Sequence, residues 1–225
     1  MKILAAITGI MAVSLIGTAS QADVLAQYDF TNNRISSDSD LNSVASTFDN
    51  GPGITTSTYY TMSPSSVADP SLSTAASDTT NAEASAVSSN DYYTFTLTPN
   101  AGEQATLANV AFNFAVFGNA NPSASFALYS SADNFTNRLG AVVTTTSTNS
   151  FTFAAIGLGN QTVTSAITFR LYVFDNNDDT GQGDLLDHVT VNGTVSPIPE
   201  PSTYALFGLG VGLLGAVQRF RRRRA

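Results

Sequence analysis

The sequence predicts an all-β protein. Its core is a single antiparallel β-sandwich, jelly-roll-like, flanked by an N-terminal signal helix and a C-terminal transmembrane helix. Three observations predict it. Apolar residues alternate with polar ones in short runs through the middle of the chain, the period of strands with one buried face. Gly, Asn, Asp and Pro, the residues of tight turns, separate these runs, and no stretch of the middle carries a sustained helical period. The two ends differ in kind, each an apolar run with basic residues on one side.

The composition excludes whole classes of chemistry. The chain has 225 residues, 9 basic and 17 acidic side chains, a formal net charge of −8, no Cys and one His. There is therefore no disulfide framework, thiolate nucleophile, zinc–cysteine site or multi-histidine metal centre. An acidic chain is poorly suited to a phosphate backbone, so no nucleic acid is expected as a partner. The charge is also segregated. Between residues 23 and 198 only Arg34, Arg138 and Arg170 are basic, against 16 acidic side chains.

Residues 1–22 read as a secretory signal peptide. Lys2 supplies the basic start, Ile3 to Ile16 is apolar, and Ser20-Gln21-Ala22 offers small residues before a cut at Asp23. The apolar run is too short for a comfortable membrane span.

Residues 23–196 read as one exported domain. A first strand is expected over Val24 to Phe30, then two weaker ones around Val44 to Phe48 and Ile54 to Thr61, with a turn at Gly51-Pro52-Gly53. Residues 63–81 have few large apolar side chains and read as a long surface loop. Tyr93, Phe95 and Leu97 set one inward phase, and Val110, Phe112, Phe114 and Val116 another. Phe126 with Leu128, Phe151 with Phe153, Ile167 to Val173, and Val189, Val191 and Val195 continue the series. Without cysteine, such a domain is held together by β packing alone.

Residues 197–225 form a second signal. Prolines 197, 199 and 201 fix the start of a helix, since they are excluded from its interior. The apolar run Tyr204 to Val217 is 14 residues, short of the roughly 20 needed for a stable span. Arg219, Arg221, Arg222, Arg223 and Arg224 act as a membrane stop and remain on the cytoplasmic side.

This order of Pro199-Glu200-Pro201-Ser202-Thr203, glycine-rich apolar helix and arginine cluster resembles the PEP-CTERM sorting signal of Gram-negative bacteria. The resemblance implies an exosortase-like membrane protease as partner, acting at Pro199, Glu200 and Pro201. It also implies a transient inner-membrane anchor and delivery to the cell surface or extracellular matrix, in the setting of exopolysaccharide and biofilm production. A second resemblance runs through Tyr28-Asp29-Phe30, the segment 93–99, Ser131 to Phe135, Phe169 to Tyr172 and Asp187 to Val195. These pieces look like an exported β-sandwich module that often precedes this signal, similar in outline to carbohydrate-binding jelly rolls. His188 stands where such modules often have asparagine.

The chemistry on offer is sparse. Asp175, Asn177 and Asp179 have the alternate spacing of an oxygen-rich calcium loop. Thr180 and Leu186 stand where an EF-hand would need Gly and Glu. The segment reads first as a solvated hairpin turn joining strands 167–174 and 186–195. If it is instead a calcium site, Asp175, Asn177, Asp179 and Asp184 are the ligands, with Asp187 joining from the next strand. No other cofactor is expected. Glu83 and Glu103 are the glutamates of the middle, both in loop-like sequence, and no nucleophile–base–orienter set is evident around His188. The expectation is an exported non-enzymatic surface or matrix protein. The alternative is a lectin-like module, with or without calcium, stacking sugars on Tyr59, Tyr60, Tyr92, Tyr129 or Tyr172. Each of these rings reads first as a core or cross-strand tyrosine.

Overall fold

The computed structural model describes residues 23–31, 33–37, 40–55, 57–60, 71–75, 82–117, 122–148, 150–174 and 183–199, with Gly208 and Val211. The signal peptide at 1–22, the arginine cluster and nearly all of the apolar run at 204–217 lie outside them. Gly208 and Val211 are helical. No helix among the described residues is long and apolar enough to cross a membrane.

Two antiparallel sheets face each other, and the all-β expectation holds. The first sheet contains β1 (Asp23–Tyr28), β4 (Ser57–Tyr60), β5 (Ser71–Ala75), β7 (Glu103–Phe117), β10 (Thr152–Val163) and β12 (Gly183–Pro197). Its order is β10-β7-β12-β5-β4, with β1 also paired to β12. The second contains β2 (Ser43–Ala45), β3 (Asp49–Asn50), β6 (Tyr92–Pro99), β8 (Ala124–Ser130), β9 (Leu139–Thr145) and β11 (Ile167–Phe174). Its order is β2-β6-β11-β8-β9, with β3 beside β6.

The inward phases read from the sequence fill the space between the sheets. Tyr93, Phe95 and Leu97 face Val110, Phe112, Phe114 and Val116 across one core that also holds Phe126, Leu128, Ile167, Phe169, Leu171, Val173, Val189 and Val191. Phe48, between β2 and β3, sits at a ring junction. Its centroid lies 5.0 Å from Phe30, 5.2 Å from Tyr28, 5.4 Å from Phe95 and 5.5 Å from Tyr93. Tyr28 keeps its hydroxyl satisfied by donating to the Ser46 carbonyl at 2.7 Å.

Four expectations need correction. The stretch 63–81 is not wholly a surface loop, because Ser71–Ala75 is β5, hydrogen-bonded between β4 and β12. Its Leu72 is fully buried, and one large apolar residue sufficed to anchor a strand that composition hid. Glu83 is not in a loop but opens the helix α1 (Glu83–Ser89), closed by Asn90 in the left-handed conformation at φ 63°. Seven residues make two turns, too few to display a helical period. Glu103 likewise begins β7 rather than lying in a loop. Finally, β11 and β12 form no hairpin. β11 is flanked on both sides by β6 and β8, so it has no free edge for β12, and the chain changes sheets between Phe174 and Gly183.

β12 organises the first sheet. One edge runs along β7, while the other is shared by β5 at residues 183–186 and β1 from Val189 onward. At the change of partner the strand bulges, and His188 takes φ 47°. Histidine, like asparagine, is among the few non-glycine residues that adopt that region with some frequency. Asp187 holds the bend by accepting from the His188 backbone N–H at 2.8 Å and pairing with its ring Nδ1 at 2.7 Å.

Candidate functional site

The sorting motif leaves directly from the sheet. Pro197 is the last residue of β12, opposite Glu103, and the Ile198 N–H donates to the Gly102 carbonyl at 2.8 Å. Pro199 follows at once, with Glu200 and Pro201 outside the described residues. No linker separates the folded module from the motif, which leaves the sheet at the end that carries the turn at 100–102.

The acidic segment is only partly visible. Asp175, Asn177 and Asp179 lie outside the described residues. Asp184 and Asp187 are both buried, but their odd spacing puts them on opposite faces of β12. Asp184 points between the sheets, where Tyr93 Oη donates to its Oδ2 at 3.2 Å. Asp187 faces outward and is engaged with His188. Among the described residues no group of three or more His, Asp or Glu stands close enough to hold a metal ion.

The proposed stacking tyrosines are mostly structural. Tyr92, Tyr129 and Tyr172 are buried on the outer side of the second sheet, beneath α1, together with Ala86, Ala127 and Phe174. Tyr172 makes edge contacts with Tyr92 and Tyr129, each at 5.1 Å. Tyr129 Oη donates to Glu83 Oε1 at 2.7 Å, and Arg138 bonds the other oxygen of that carboxylate at 2.5 Å. The Arg170 guanidinium is clasped between the Tyr92 and Phe135 rings, 4.5 and 3.9 Å from their centroids. Of the candidate rings described for exposure, only Tyr59 faces solvent.

This packing perturbs Tyr129. Burial, then its bond to the Glu83 carboxylate, push the phenol up to about 12. The folded state therefore favours the neutral phenol, and that contribution to stability is present below about pH 10 and lost as pH rises towards 12. A phenolate absorbance titration is expected to place Tyr129 among the late-ionising tyrosines. Tyr129→Phe is expected to lower the late amplitude by one phenolate, and an undiminished late amplitude in the variant would refute the assignment.

The outer side of the first sheet is different in kind. Phe153, Asn113 and Asp187 stand in one row across β10, β7 and β12, and Gly157, Asn109 and Asn192 stand in another. Between them lies a row of Ala155, Ala111 and Thr190, which Gln27 of β1 continues. Phe153 is 68% exposed, although the sequence reading had placed it among inward residues. The inward phase of β10 is set by Ala154, Ile156 and Leu158, all in the core, and Phe153 falls on the other parity. Extending the alternation to residue 158 would have shown this from sequence. Next to this face is Asp29. Burial alone would raise its carboxyl, but bonds from Gln27 and Ser37 and the nearby His188 hold it below the usual range.

The architecture is that of a β-sandwich module carrying its sorting motif on the end of β12, a central strand of 15 residues. Residues 197–224 match the family model of the PEP-CTERM protein-sorting motif. The chain therefore carries a PEP-CTERM sorting motif behind a β-sandwich module, and the motif indicates export and membrane-associated sorting. No curated protein matches the sequence. Solved structures with a similar outline include the CBM22-1 xylan-binding domain of Paenibacillus barcinonensis Xyn10C, at 12% identity and a TM-score of 0.40, covering 78% of this chain and 97% of that one. TmCBM61 in complex with β-1,4-galactotriose is similar at 13% identity and a TM-score of 0.37, covering 76% and 94%. The family 11 carbohydrate-binding module of Clostridium thermocellum Lic26A-Cel5E is similar at 13% and 0.34, covering 79% and 97%. These are distant likenesses of outline, and the ligands in their names are theirs.

Proposed function

We propose that this chain is an exported, non-enzymatic surface or extracellular-matrix protein, associated with exopolysaccharide and delivered through its C-terminal signal. The observation that carries the reading is the sorting motif at 197–224, joined without a linker to the β-sandwich. Glu83 is tied to Tyr129 and Arg138 on the second sheet, and Glu103 begins β7 in the first. The two glutamates therefore do not form the paired carboxylates of a glycosidase cleft. In this reading residues 1–22 are removed on export and residues 23–196 form the working module. Residues 197–225 hold the module at the inner membrane until an exosortase-like protease acts at Pro199-Glu200-Pro201. The arginines at 219 and 221–224 keep the tail on the cytoplasmic side. No cofactor is needed.

Replacing Pro199, Glu200 and Pro201 together by alanine tests this. The expected result is a larger form retained in the membrane fraction and loss of the surface or matrix form. An unchanged mature size and destination would remove the sorting reading.

A further inference from the structure

We infer that the outer face of β10-β7-β12 is a binding surface for a neutral oligosaccharide strand, with Phe153 as its stacking platform and Asn113 as its adjacent polar contact. This rests on the polysaccharide association proposed above and gives it a place on the molecule.

The first observation is the exposure of Phe153. A phenylalanine 68% exposed on a face whose neighbours along the strand are Ala155 and Gly157 is unshielded apolar area. Nothing in the packing of the module requires it, because β10 is anchored from its other side by Ala154, Ile156 and Leu158. The second is the polar complement. Asn113 stands directly beside Phe153 across the β10–β7 ladder. It is half-buried, and its amide has no hydrogen-bond partner among the described residues. Four residues along β7, the Asn192 amide donates to Asn109 Oδ1 at 2.9 Å. The same amide donates to Thr190 Oγ1 at 3.2 Å, and these two bonds leave the Asn109 amide donors and the Asn192 carbonyl oxygen unused among the described residues. The third is shape. Between the two rows the residues of β10 and β7 are small, Ala155 and Ala111, so the surface dips between the ring at one end and the amides at the other. Four residues of strand separate the rows by about 13 Å, room for a short run of sugar rings.

Charge selects the ligand class. All three arginines of the module are placed elsewhere. Arg34 is bonded to Asn50 and Ser57, Arg138 to Glu83, and Arg170 is clasped by Tyr92 and Phe135. No lysine or arginine stands in these rows, and the nearest carboxylate, that of Asp187, pairs with His188. Amides that both donate and accept suit sugar hydroxyls, and the ring suits the apolar C–H face of a pyranose. A polyanionic glycan would find no counter-charge here.

The experiment uses the full chain in mild detergent on arrays and in affinity gels of neutral polysaccharides (dextran, β-glucans, galactans) and anionic ones (alginate, hyaluronan). Binding to at least one neutral glycan is expected, with none to the anionic set. Phe153→Ala is expected to weaken it by about tenfold or more, Phe153→Trp to retain it, and Asn113→Ala to weaken it by about tenfold. These side chains lie on the surface, so the thermal midpoint should hardly move, which separates lost binding from lost fold. Neutral-glycan binding indifferent to Phe153→Ala would overturn this site while leaving the polysaccharide association standing. Absence of glycan binding altogether would overturn both. Sedimentation showing a Phe153-dependent dimer that binds no glycan would mark the face as a contact between copies instead.

Discussion

Phe48→Ala is expected to destabilise the module by about 3–5 kcal/mol, the range for truncating a large buried aromatic. The ring is fully buried and stands within 5.0–5.5 Å of four others, Tyr28, Phe30, Tyr93 and Phe95. Tyr28 comes from β1 in the first sheet and Phe95 from β6 in the second, so Phe48 is a pin between layers. Removing it leaves a cavity bordered by strands that cannot collapse together without breaking their ladders. Single domains hold about 5–15 kcal/mol in total, so much of the stability should go, seen as a midpoint lowered by some 10–20 °C. A shift of only one or two degrees in a thermal or urea melt would show that the five rings are not the seam of the sandwich.

Leu72→Asp is expected to be about as damaging, by a different route. Leu72 is fully buried on β5, opposite Leu186 of β12 and Tyr59 of β4. Its side chain joins the core between the sheets. A carboxylate there must be desolvated without a compensating cation, at an effective cost of several kcal/mol. The first consequence is release of the β4–β5 pair from the upper half of β12, read as loss of amide-exchange protection at 71–75 and 183–186 before the rest. Leu72→Val should keep most of that protection, since the loss is then about one methylene. An Asp variant as stable as the parent would return residues 71–75 to the surface loop that their composition suggests.

These two residues mark what was legible in the sequence. The alternation of Val110, Phe112, Phe114 and Val116, and that of Ile167 to Val173, is strong because the main core lies on one side of each strand. The period then follows directly from the pleat. Leu72 gives no such signal, because a five-residue strand with one large apolar side chain has no period to show. Helix α1 was hidden for the same reason, as was β3, which is two residues long. Phe153 was visible in principle, since the phase of Ala154, Ile156 and Leu158 is written in the chain, but two phenylalanines at 151 and 153 read more loudly than that phase. The tyrosines show the opposite limit. Whether Tyr92, Tyr129 and Tyr172 face solvent depends on α1 and Phe135 folding over them, and no local pattern records that. The acidic segment is similar. The spacing of Asp184 and Asp187 already puts them on opposite faces of one strand, but only the second layer makes one of those faces the inside.

By itself the sequence determined the class and the address: strands from period-2 alternation, a module without disulfides, and the ordered Pro-Glu-Pro, apolar and arginine features of the sorting signal. These are local properties, set by neighbours a few residues away. The tertiary structure alone decided which strands share a sheet, why β11 and β12 part company, and that β12 changes partners at His188. It also decided that Phe153 is the most exposed aromatic ring among the described residues, ahead of Tyr59. Those outcomes depend on pairing between residues distant in the chain, where each strand edge can be used once and every face must be either covered or exposed.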